Sequence, residues 1–460
     1  MPRLPLRRSP RPPFPQPPFP QSIAPPPGLP GAAGPPQPPG SRLRRRPWLL
    51  AALFSAIALL VLAAGGYSAW KLTRTPPPPR VHLQVARTLA IDPGTPPAIP
   101  LPAQGSFDLV SSDEGQLASV DATAQVPIAS ITKVMTALVT LQRMPLSGDR
   151  EGPTDTITAH DVADYDRLTS EGGSTVFVAA GEQFTERQML LGLLLPSADN
   201  LADTLGDWVA GSDTAFVAEL NAEAGTLGMT GTRFADDSGF SSQTVSTAAD
   251  LVKLGQAALA DPVLASLVAT QSAVMPDGTT VHNLDTNLGS VPGWLGIKTG
   301  YTGQAGGCLL FAAQHPGPLG GSPEVTVVGA ILGQPVSGAG GLAPALDGAA
   351  SAVQAAFGAY DTVSPATFPA PDVHGAMTSA WGTSARLAVG SASGPTAIEV
   401  RRGADLTLTS SPVSALEPSA GRGTVVGHIT GRLAGLTVAS WTVTATGDLG
   451  QPSWQWLLTH

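Results

Sequence analysis

From residue 127 to residue 133 the chain reads Pro-Ile-Ala-Ser-Ile-Thr-Lys, and an apolar run follows as far as Leu141. The apolar residues of this run recur at helical spacing, which predicts a helix with one buried face. Ser130 and Lys133 stand three residues apart at its start. We therefore expect both side chains on the same side of the first helical turn.

Serine and lysine in this arrangement are typical of a nucleophile and its base. A serine hydroxyl attacks readily only when a neighbour takes its proton, and a lysine can take it only in the neutral form. Burial and nearby cations both favour that neutral form. Lysine is scarce here, with four lysines among 25 basic residues. Its use at position 133 fits a group that must lose a proton, although a capping serine with a surface lysine remains the alternative.

Composition limits the class of protein. The chain has 460 residues, enough for two or three domains, and 42% of them are apolar. A single cysteine, Cys308, excludes an internal disulfide and a cysteine-rich metal site. Residues 1–80 contain eleven basic residues and no acid, so the net charge of −9 leaves about −20 for residues 81–460. That charge argues against nucleic-acid binding by the globular part.

The amino-terminal segments predict attachment to a membrane. Residues 1–47 are rich in proline and arginine and are expected to be a disordered cytoplasmic tail. Residues 48–70 carry no charge and are long enough to cross a bilayer. Arginines directly before them place the amino terminus in the cytoplasm and the catalytic part outside the cell. A cleaved signal peptide is the alternative, but the long tail favours an uncleaved, single-pass anchor. Residues 71–105 are predicted to be a proline-rich linker.

Several helices follow from local signals. Residues 145–180 are polar and are expected to be irregular. Thr185 and Gln188 have the spacing of a capping box and begin a buried helix that ends at Pro196. Thr247 is expected to begin a further helix that reaches residue 260.

The predicted sheet combines an early hairpin with later strands. Short connections between consecutive strands favour antiparallel pairing, and one connection covers residues 316–323. An alanine-rich helix at 345–357 is expected to pack on this sheet. The predicted strands are 107–110, 116–120, 295–302, 307–313 and 325–332.

A change in composition marks the end of the predicted catalytic domain. This domain covers residues 106–360 and contains the helices and strands predicted above. From about residue 361 the chain becomes richer in threonine, serine, valine and glycine, with alternating runs at 424–430 and 436–444. Residues 361–460 are therefore predicted to form a small β-rich domain.

Three short motifs make the functional prediction more specific than the serine and lysine alone. They are Ser130-Ile131-Thr132-Lys133, Ser197-Ala198-Asp199 and Lys298-Thr299-Gly300. A second serine could relay a proton, and a second lysine could favour the neutral form of the first. Backbone N–H groups of Ser130 and Tyr301 could bind an oxyanion if the strand edge faces the helix start.

In these motifs and their order the chain resembles the serine D-alanyl-D-alanine carboxypeptidases, the low-molecular-mass penicillin-binding proteins. The resemblance covers roughly residues 106–358 and includes the Asp-Ser-Gly-Phe sequence at 237–240. It implies an α/β penicillin-recognising serine hydrolase fold, in which an antiparallel sheet is flanked by helices and joined by a helical subdomain. A small all-β domain after it and a transmembrane helix before it complete the expected architecture.

The resemblance also implies residue roles. Ser130 is the acylated nucleophile, Lys133 its general base, and Ser197 relays a proton to the leaving D-alanine. Lys298 supplies positive charge. The remaining positions expected to bind substrate are Asp199, Asn200, Thr299, Gly300 and Tyr301. The implied substrate is the peptidoglycan stem peptide, with β-lactams as acylating inhibitors and without a metal or cofactor.

One departure from the family pattern concerns position 199. The second motif usually ends in asparagine, whereas here aspartate occupies that position and Asn200 follows it. An amide can donate to a substrate carbonyl, but a carboxylate only accepts. Asp199 could pair with Lys133, or a small shift could present Asn200. The rival functions are a class A-like β-lactamase, for which Glu219 and Glu223 are the available acids, and an inactive wall-associated scaffold.

Overall fold

A computed structural model describes residues 47–91, 94–315, 324–335, 341–433 and 435–460. The predicted tail up to residue 46 and the predicted connection 316–323 lie outside the described residues. The chain divides into two compact units, Met1–Thr73 and Arg74–His460.

Ten helices occur among the described residues. They are α1 (Pro47–Thr73), α2 (Thr132–Arg143), α3 (Ala159–Ser170), α4 (Glu186–Leu194), α5 (Asp199–Ala210), α6 (Asp213–Thr226), α7 (Ala248–Ala260), α8 (Pro262–Val268), α9 (Ala343–Phe357) and α10 (Trp454–Thr459).

Strands make up most of the remaining regular structure. Up to the end of the predicted catalytic sheet they are β1 (Arg80–Val85), β2 (Thr88–Ala90), β3 (Ser106–Ser111), β4 (Gly115–Val120), β5 (Val126–Pro127), β6 (Thr154–Thr156), β7 (Gln183–Thr185), β8 (Val245–Ser246), β9 (Ser272–Val274), β10 (Thr280–His282), β11 (Trp294–Thr302), β12 (Gly306–Gln314) and β13 (Thr326–Gln334). Later strands are β14 (Tyr360–Val363), β15 (Val373–Thr378), β16 (Ser384–Val389), β17 (Ile398–Arg401), β18 (Asp405–Pro412), β19 (Val425–Leu433) and β20 (Leu436–Ala445).

The first unit contains α1, which fits a membrane anchor. Its 27 residues would extend about 40 Å as an α-helix, which exceeds the roughly 30 Å of a bilayer core. The large apolar side chains along it are exposed, as expected of a helix that faces lipid. Within the described residues it is the one continuous helix long and apolar enough to cross a membrane.

The catalytic part is built on a five-stranded antiparallel sheet in the order β11-β12-β13-β3-β4. All five strands were predicted, and their bounds differ from the prediction by at most two residues. Helix α7 packs on one face of the sheet, and α9 packs on the other. The largest apolar core lies on the α7 side and joins the sheet to the helical subdomain that contains α2, α4 and α5.

Local capping signals position several of these helices. Thr185 and Gln188 form a capping box at α4, and the Thr247 side chain caps α7, as predicted. The expectation of irregular chain over 145–180 was wrong, because α3 lies there. Thr158 and Asp161 form the capping box that begins α3, so the same spacing signal was present in the sequence.

The predicted linker 71–105 also needs correction. Residues 80–90 form β1 and β2, which are the two edge strands of a seven-stranded sheet in the order β1-β15-β16-β20-β19-β18-β2. Val81, Leu83 and Val85 alternate with exposed residues and pack against the core of that sheet. The β-rich domain predicted for 361–460 therefore takes its edges from the segment before the catalytic domain.

Candidate active site

Ser130 lies in a short 3-10 turn, Ala129–Ile131, that leads directly into α2. Ala129 adopts a left-handed backbone conformation (φ 47°), which turns the chain sharply before the serine. Lys133 follows in the first turn of α2, and its Nζ lies 2.9 Å from Ser130 Oγ. The pair predicted from the sequence is therefore in hydrogen-bonding contact.

The ammonium of Lys133 is fully buried and has three hydrogen-bond acceptors. Besides Ser130 Oγ, it donates to Asp199 Oδ1 at 2.6 Å and to the Ser238 carbonyl at 2.8 Å. These three bonds use all three N–H donors of a charged lysine. Of the two arrangements expected for the departure at position 199, the structure has the ion pair between Asp199 and Lys133.

Asp199 begins α5 and forms two hydrogen bonds with Ser174. Its Oδ2 accepts a hydrogen bond from the Ser174 N–H at 2.9 Å, and its own N–H donates to the Ser174 carbonyl at 2.7 Å. Gly173 leaves room for this carboxylate, since a Cβ there would lie 2.8 Å from Asp199 Oδ2. Gly173 and Ser174 therefore support the Asp199 carboxylate that pairs with Lys133.

Asn200 does not take the place of the missing asparagine. Its side chain is buried, with Nδ2 donating to the Val176 carbonyl and Oδ1 accepting from the Val176 N–H, both at 3.0 Å. Both polar ends of the amide are therefore used to hold a neighbouring segment. This placement corrects the expectation that Asn200 binds substrate.

Ser197 has the geometry of a strained residue with a free hydroxyl. Its backbone is left-handed (φ 72°), a conformation that costs a non-glycine residue about 1–2 kcal/mol. The side chain is 3% exposed, and its Oγ has no hydrogen-bond partner among the described residues. A buried hydroxyl without a partner is available to a bound substrate.

The third motif lies on β11, at the edge of the five-stranded sheet. Lys298 and Thr299 are buried, and Lys298 Nζ donates to the Thr299 carbonyl at 3.1 Å. Burial, reinforced by the charge of Lys133, lowers the pKa of Lys298 to about 7, while Asp199 and Asp285 oppose this shift. The two site lysines therefore influence each other electrostatically.

Gly300 brings this edge strand against the serine turn. A Cβ at position 300 would lie 2.9 Å from the Ile128 carbonyl oxygen and 3.2 Å from the Ser130 nitrogen. The close packing of β11 against the serine turn therefore requires a residue without a side chain at position 300. Approach by a substrate would be a second reason for glycine there. Tyr301 follows and is 42% exposed. The edge of β11 faces the start of α2, which is the condition set for the expected oxyanion site.

Two further residues of the site were quoted from the sequence without a role. The Ser238 carbonyl binds Lys133, and Gly239 is left-handed (φ 79°) at a point where a Cβ would lie 1.8 Å from the Ala129 carbonyl oxygen. Glycine there lets the 236–240 loop lie directly against the serine turn. The Asp-Ser-Gly-Phe sequence was the available signal, but its contact with Lys133 requires the tertiary structure.

The two glutamates considered for a β-lactamase, Glu219 and Glu223, do not lie at Ser130. Glu219 pairs with Arg143, and Glu223 accepts a hydrogen bond from Gln142. Both partners are at the end of α2, some ten residues and therefore about 15 Å beyond Lys133. Neither glutamate is placed to activate a water molecule at Ser130.

Comparisons with known proteins identify a family for this chain. Residues 103–319 match the family model described as D-alanyl-D-alanine carboxypeptidase. A D-alanyl-D-alanine carboxypeptidase of Mycobacterium tuberculosis is 39% identical over 223 residues, which cover 47% of this chain and 72% of that protein. A D-alanyl-D-alanine endopeptidase of Pseudomonas aeruginosa is 32% identical over 50% of this chain and 75% of that protein. The chain belongs to the D-alanyl-D-alanine carboxypeptidase family.

A solved structure of a protein with the same name is also similar to this chain. The crystal structure of a D-alanyl-D-alanine carboxypeptidase from Mycobacterium tuberculosis is 33% identical, covers 57% of this chain and 96% of its own, and has a TM-score of 0.48.

Proposed function

We propose that this serine-type D-alanyl-D-alanine carboxypeptidase removes the terminal D-alanine of peptidoglycan stem peptides through an acyl-enzyme on Ser130. The family membership gives the reaction class, and one observation supports the assignment of the nucleophile. Lys133 Nζ is buried and lies 2.9 Å from Ser130 Oγ. That contact is the one a general base needs to take the hydroxyl proton.

In the proposed acylation, Ser130 Oγ attacks the carbonyl carbon of the penultimate D-alanine while its proton passes to Lys133. The carbonyl oxygen becomes an oxyanion, which the backbone N–H groups of Ser130 and Tyr301 would bind. The C–N bond then breaks, and Ser197 passes a proton to the departing amine. Hydrolysis of the resulting ester by water releases the shortened peptide and restores Ser130.

The open edge of β11 supports a mode of substrate binding. A peptide can add to an edge strand through main-chain hydrogen bonds, and this edge passes beside the serine turn at Gly300. Thr299 would then hold the terminal carboxylate, with the positive charge supplied by Lys298. The same charge would attract the carboxylate of a β-lactam.

We further propose that residues 106–360 carry this activity and that α1 anchors them outside the cell. The arginines before α1 support a cytoplasmic amino terminus. Residues 361–460 would form a β-rich domain, and the seven-stranded sheet of these residues also includes β1 and β2. The stem peptide would then reach Ser130 on the outer side of the membrane.

Intact mass after treatment with benzylpenicillin tests the proposed nucleophile. The full chain in detergent should gain the mass of one drug molecule, and Ser130→Ala should gain none. Lys253→Ala is the matched control, because Lys253 is on a different helix and pairs with Asp250. Release of D-alanine from a stem pentapeptide should show the same dependence on Ser130.

Two other outcomes would contradict the proposal. Consumption of the drug without a lasting adduct would indicate a β-lactamase. Intact drug and no adduct would indicate a scaffold whose serine is inactive, as the departure at position 199 allows.

A further inference from the structure

Three aspartates from three segments of the chain lie close together, and one of them belongs to the loop that holds Lys133. Asp203 is on α5, Asp213 is the first residue of α6, and Asp237 is in the loop that precedes Ser238. One carboxylate oxygen from each residue lies within 4.8 Å of those of the other two. None of the three has a role in the proposed acylation.

The Asp237 carboxylate points into this cluster, and one of its two oxygens accepts no hydrogen bond from the described residues. The residue is 2% exposed, and its Oδ2 has no partner among the described residues. A Cβ placed on Gly206 of α5 would lie 2.9 Å from Asp237 Oδ2 and 3.1 Å from Asp213 Oδ1. Two carboxylate oxygens therefore converge on the space that glycine leaves open. A glycine inside a helix costs roughly 1 kcal/mol relative to alanine, so this space has an energetic cost.

Neighbouring cations do not balance the charge of the cluster. Arg167 bonds Asp203 at 3.1 Å, but it also bonds Asp164 at 3.0 Å. His160 lies beside two further acids, Asp164 and Asp207. In the part of the chain that the structure describes, these five acids outnumber the two basic groups, Arg167 and His160, that contact some of them.

The proximity of the carboxylates is unfavourable when all of them are charged. Burial, together with the charges of neighbouring acids, raises the pKa of Asp203 to about 7 and that of Asp213 to about 6. A proton shared by Asp203 and Asp237 would relieve part of this repulsion. A bound cation would relieve more of it, because it can contact all three oxygens at once.

We propose that Asp203, Asp213 and Asp237 bind one calcium ion. Carboxylate oxygens are the ligands of hard divalent cations, and Ca–O distances of about 2.3–2.6 Å suit oxygens that lie within 4.8 Å of one another. Magnesium demands nearly ideal octahedral geometry and dehydrates reluctantly, whereas calcium accepts irregular oxygen sites that water completes. Asp213 is exposed, so the ion has access from solvent and water can complete its coordination.

The ion would join α5, the start of α6 and the loop that holds Lys133. The Asp237 carbonyl accepts a hydrogen bond from Thr136 of α2, and the next carbonyl, of Ser238, accepts one from Lys133. Calcium bound there therefore stabilises the loop whose Ser238 carbonyl holds Lys133. We expect a dissociation constant on the order of 10⁻⁴ to 10⁻³ M, as in extracellular calcium modules.

Calcium binding is measured directly on the full chain in detergent. After removal of metals with a chelator, equilibrium dialysis should give one calcium per chain, and 10 mM calcium should raise the Tm by a few degrees. Asp213→Asn and Asp237→Asn should lose both effects. Asp207→Asn is the matched control, because Asp207 lies on α5 like Asp203 but outside the trio, and this substitution should leave calcium binding unchanged.

Three results would overturn the proposal. They are the absence of calcium binding up to 10 mM, binding that survives Asp213→Asn, and stronger binding of magnesium or manganese than of calcium. The first would leave the shared proton as the explanation of the cluster. If Asp237→Asn does not fold, the exposed Asp213→Asn decides the question alone. Since benzylpenicillin acylation is measured separately, failure of the calcium site and failure of the proposed nucleophile are distinguishable.

Discussion

Asp199 is the residue at which this site differs most from the family pattern, and it lies 2.6 Å from the proposed base. A carboxylate in that position stabilises the charged form of Lys133, which cannot accept a proton. We predict that Asp199→Asn increases the rate of acylation by benzylpenicillin at pH 7 by about tenfold, equivalent to roughly 1.4 kcal/mol of barrier. Intact-mass time courses would measure the rate.

Asp207→Asn serves as the control for this substitution, because it removes one negative charge from the same helix without contacting Lys133. A slower rate for Asp199→Asn would contradict the prediction. It would show that the carboxylate assists catalysis, for example by taking the proton of Lys133 before the attack.

Lys298 should make stability depend on pH. Burial lowers the pKa of Lys298 from 10.5 to about 7 in the folded protein. Between those values the unfolded chain binds more protons at this residue, so its contribution to the free energy of unfolding rises with pH. Below about pH 7 the folded state bears the full cost of the buried charge.

We therefore predict that Lys298→Met is more stable than the unaltered protein at pH 6 and that this advantage shrinks between pH 7 and pH 10. Urea unfolding at several pH values would measure both free energies. A difference that is constant with pH, or that grows above pH 7, would contradict the lowered pKa.

At the scale of elements, the position of the serine turn depends on the glycine that the 236–240 loop places against it. Gly239→Ala would bring a Cβ within 1.8 Å of the Ala129 carbonyl oxygen. We predict a loss of about 3 kcal/mol or more in the free energy of unfolding, from the left-handed backbone and the clash together. Acylation of Ser130 should decrease as well, because the turn must move.

Gly228→Ala separates these two causes. Gly228 is also left-handed (φ 68°), but a Cβ there has no atom within 4 Å. Its cost should be limited to about 1–2 kcal/mol of backbone strain, with acylation unchanged. Equal effects of the two substitutions would show that the clash is unimportant.

Elements with local signals were predicted well. Capping residues located the starts of α4 and α7, and apolar runs located β11, β12 and β13. Helix α3 was not predicted, because its mostly polar composition is typical of irregular chain, although Thr158 and Asp161 have the spacing of a capping box. Strands β1 and β2 were missed because clustered prolines on both sides suggested a linker, although Val81, Leu83 and Val85 alternate as a strand requires.

At the scale of the whole molecule, the chain from β14 onward contacts the five-stranded sheet through polar pairs. Tyr360 Oη donates to Asp113 Oδ2 at 2.6 Å, and Arg401 lies 3.3 Å from Glu114, both acids being in the β3–β4 turn. Burial and the neighbouring Asp113 raise the pKa of Tyr360, so its hydroxyl remains a donor. These contacts lie at the far edge of the sheet from β11 and leave the proposed substrate edge free.

The edge strands of the β-rich domain allow a test of its boundaries. Leu83 of β1 packs against the core of that domain, whereas His82 is exposed. We predict that Leu83→Lys lowers the Tm of the protein and promotes self-association, because displacement of β1 exposes the edge of β15. His82→Lys is the matched control and should change neither property.

The rate of benzylpenicillin acylation should be the same in both variants, because neither residue is near Ser130. Thermal unfolding and light scattering would measure stability and association. An unchanged Tm in Leu83→Lys would mean that β1 contributes little and that residues 71–105 act as the linker first predicted.

The sequence by itself determined the order of the three motifs, the starts of several helices and the five strands of the sheet that carries Lys298, because these depend on residues close together in the chain. Only the tertiary structure decided that Asp199 pairs with Lys133, that Asn200 binds Val176, and that residues 80–90 join the later sheet. It also decided that Asp203, Asp213 and Asp237 lie close together. Such contacts join residues far apart in sequence, and packing rather than local propensity sets them.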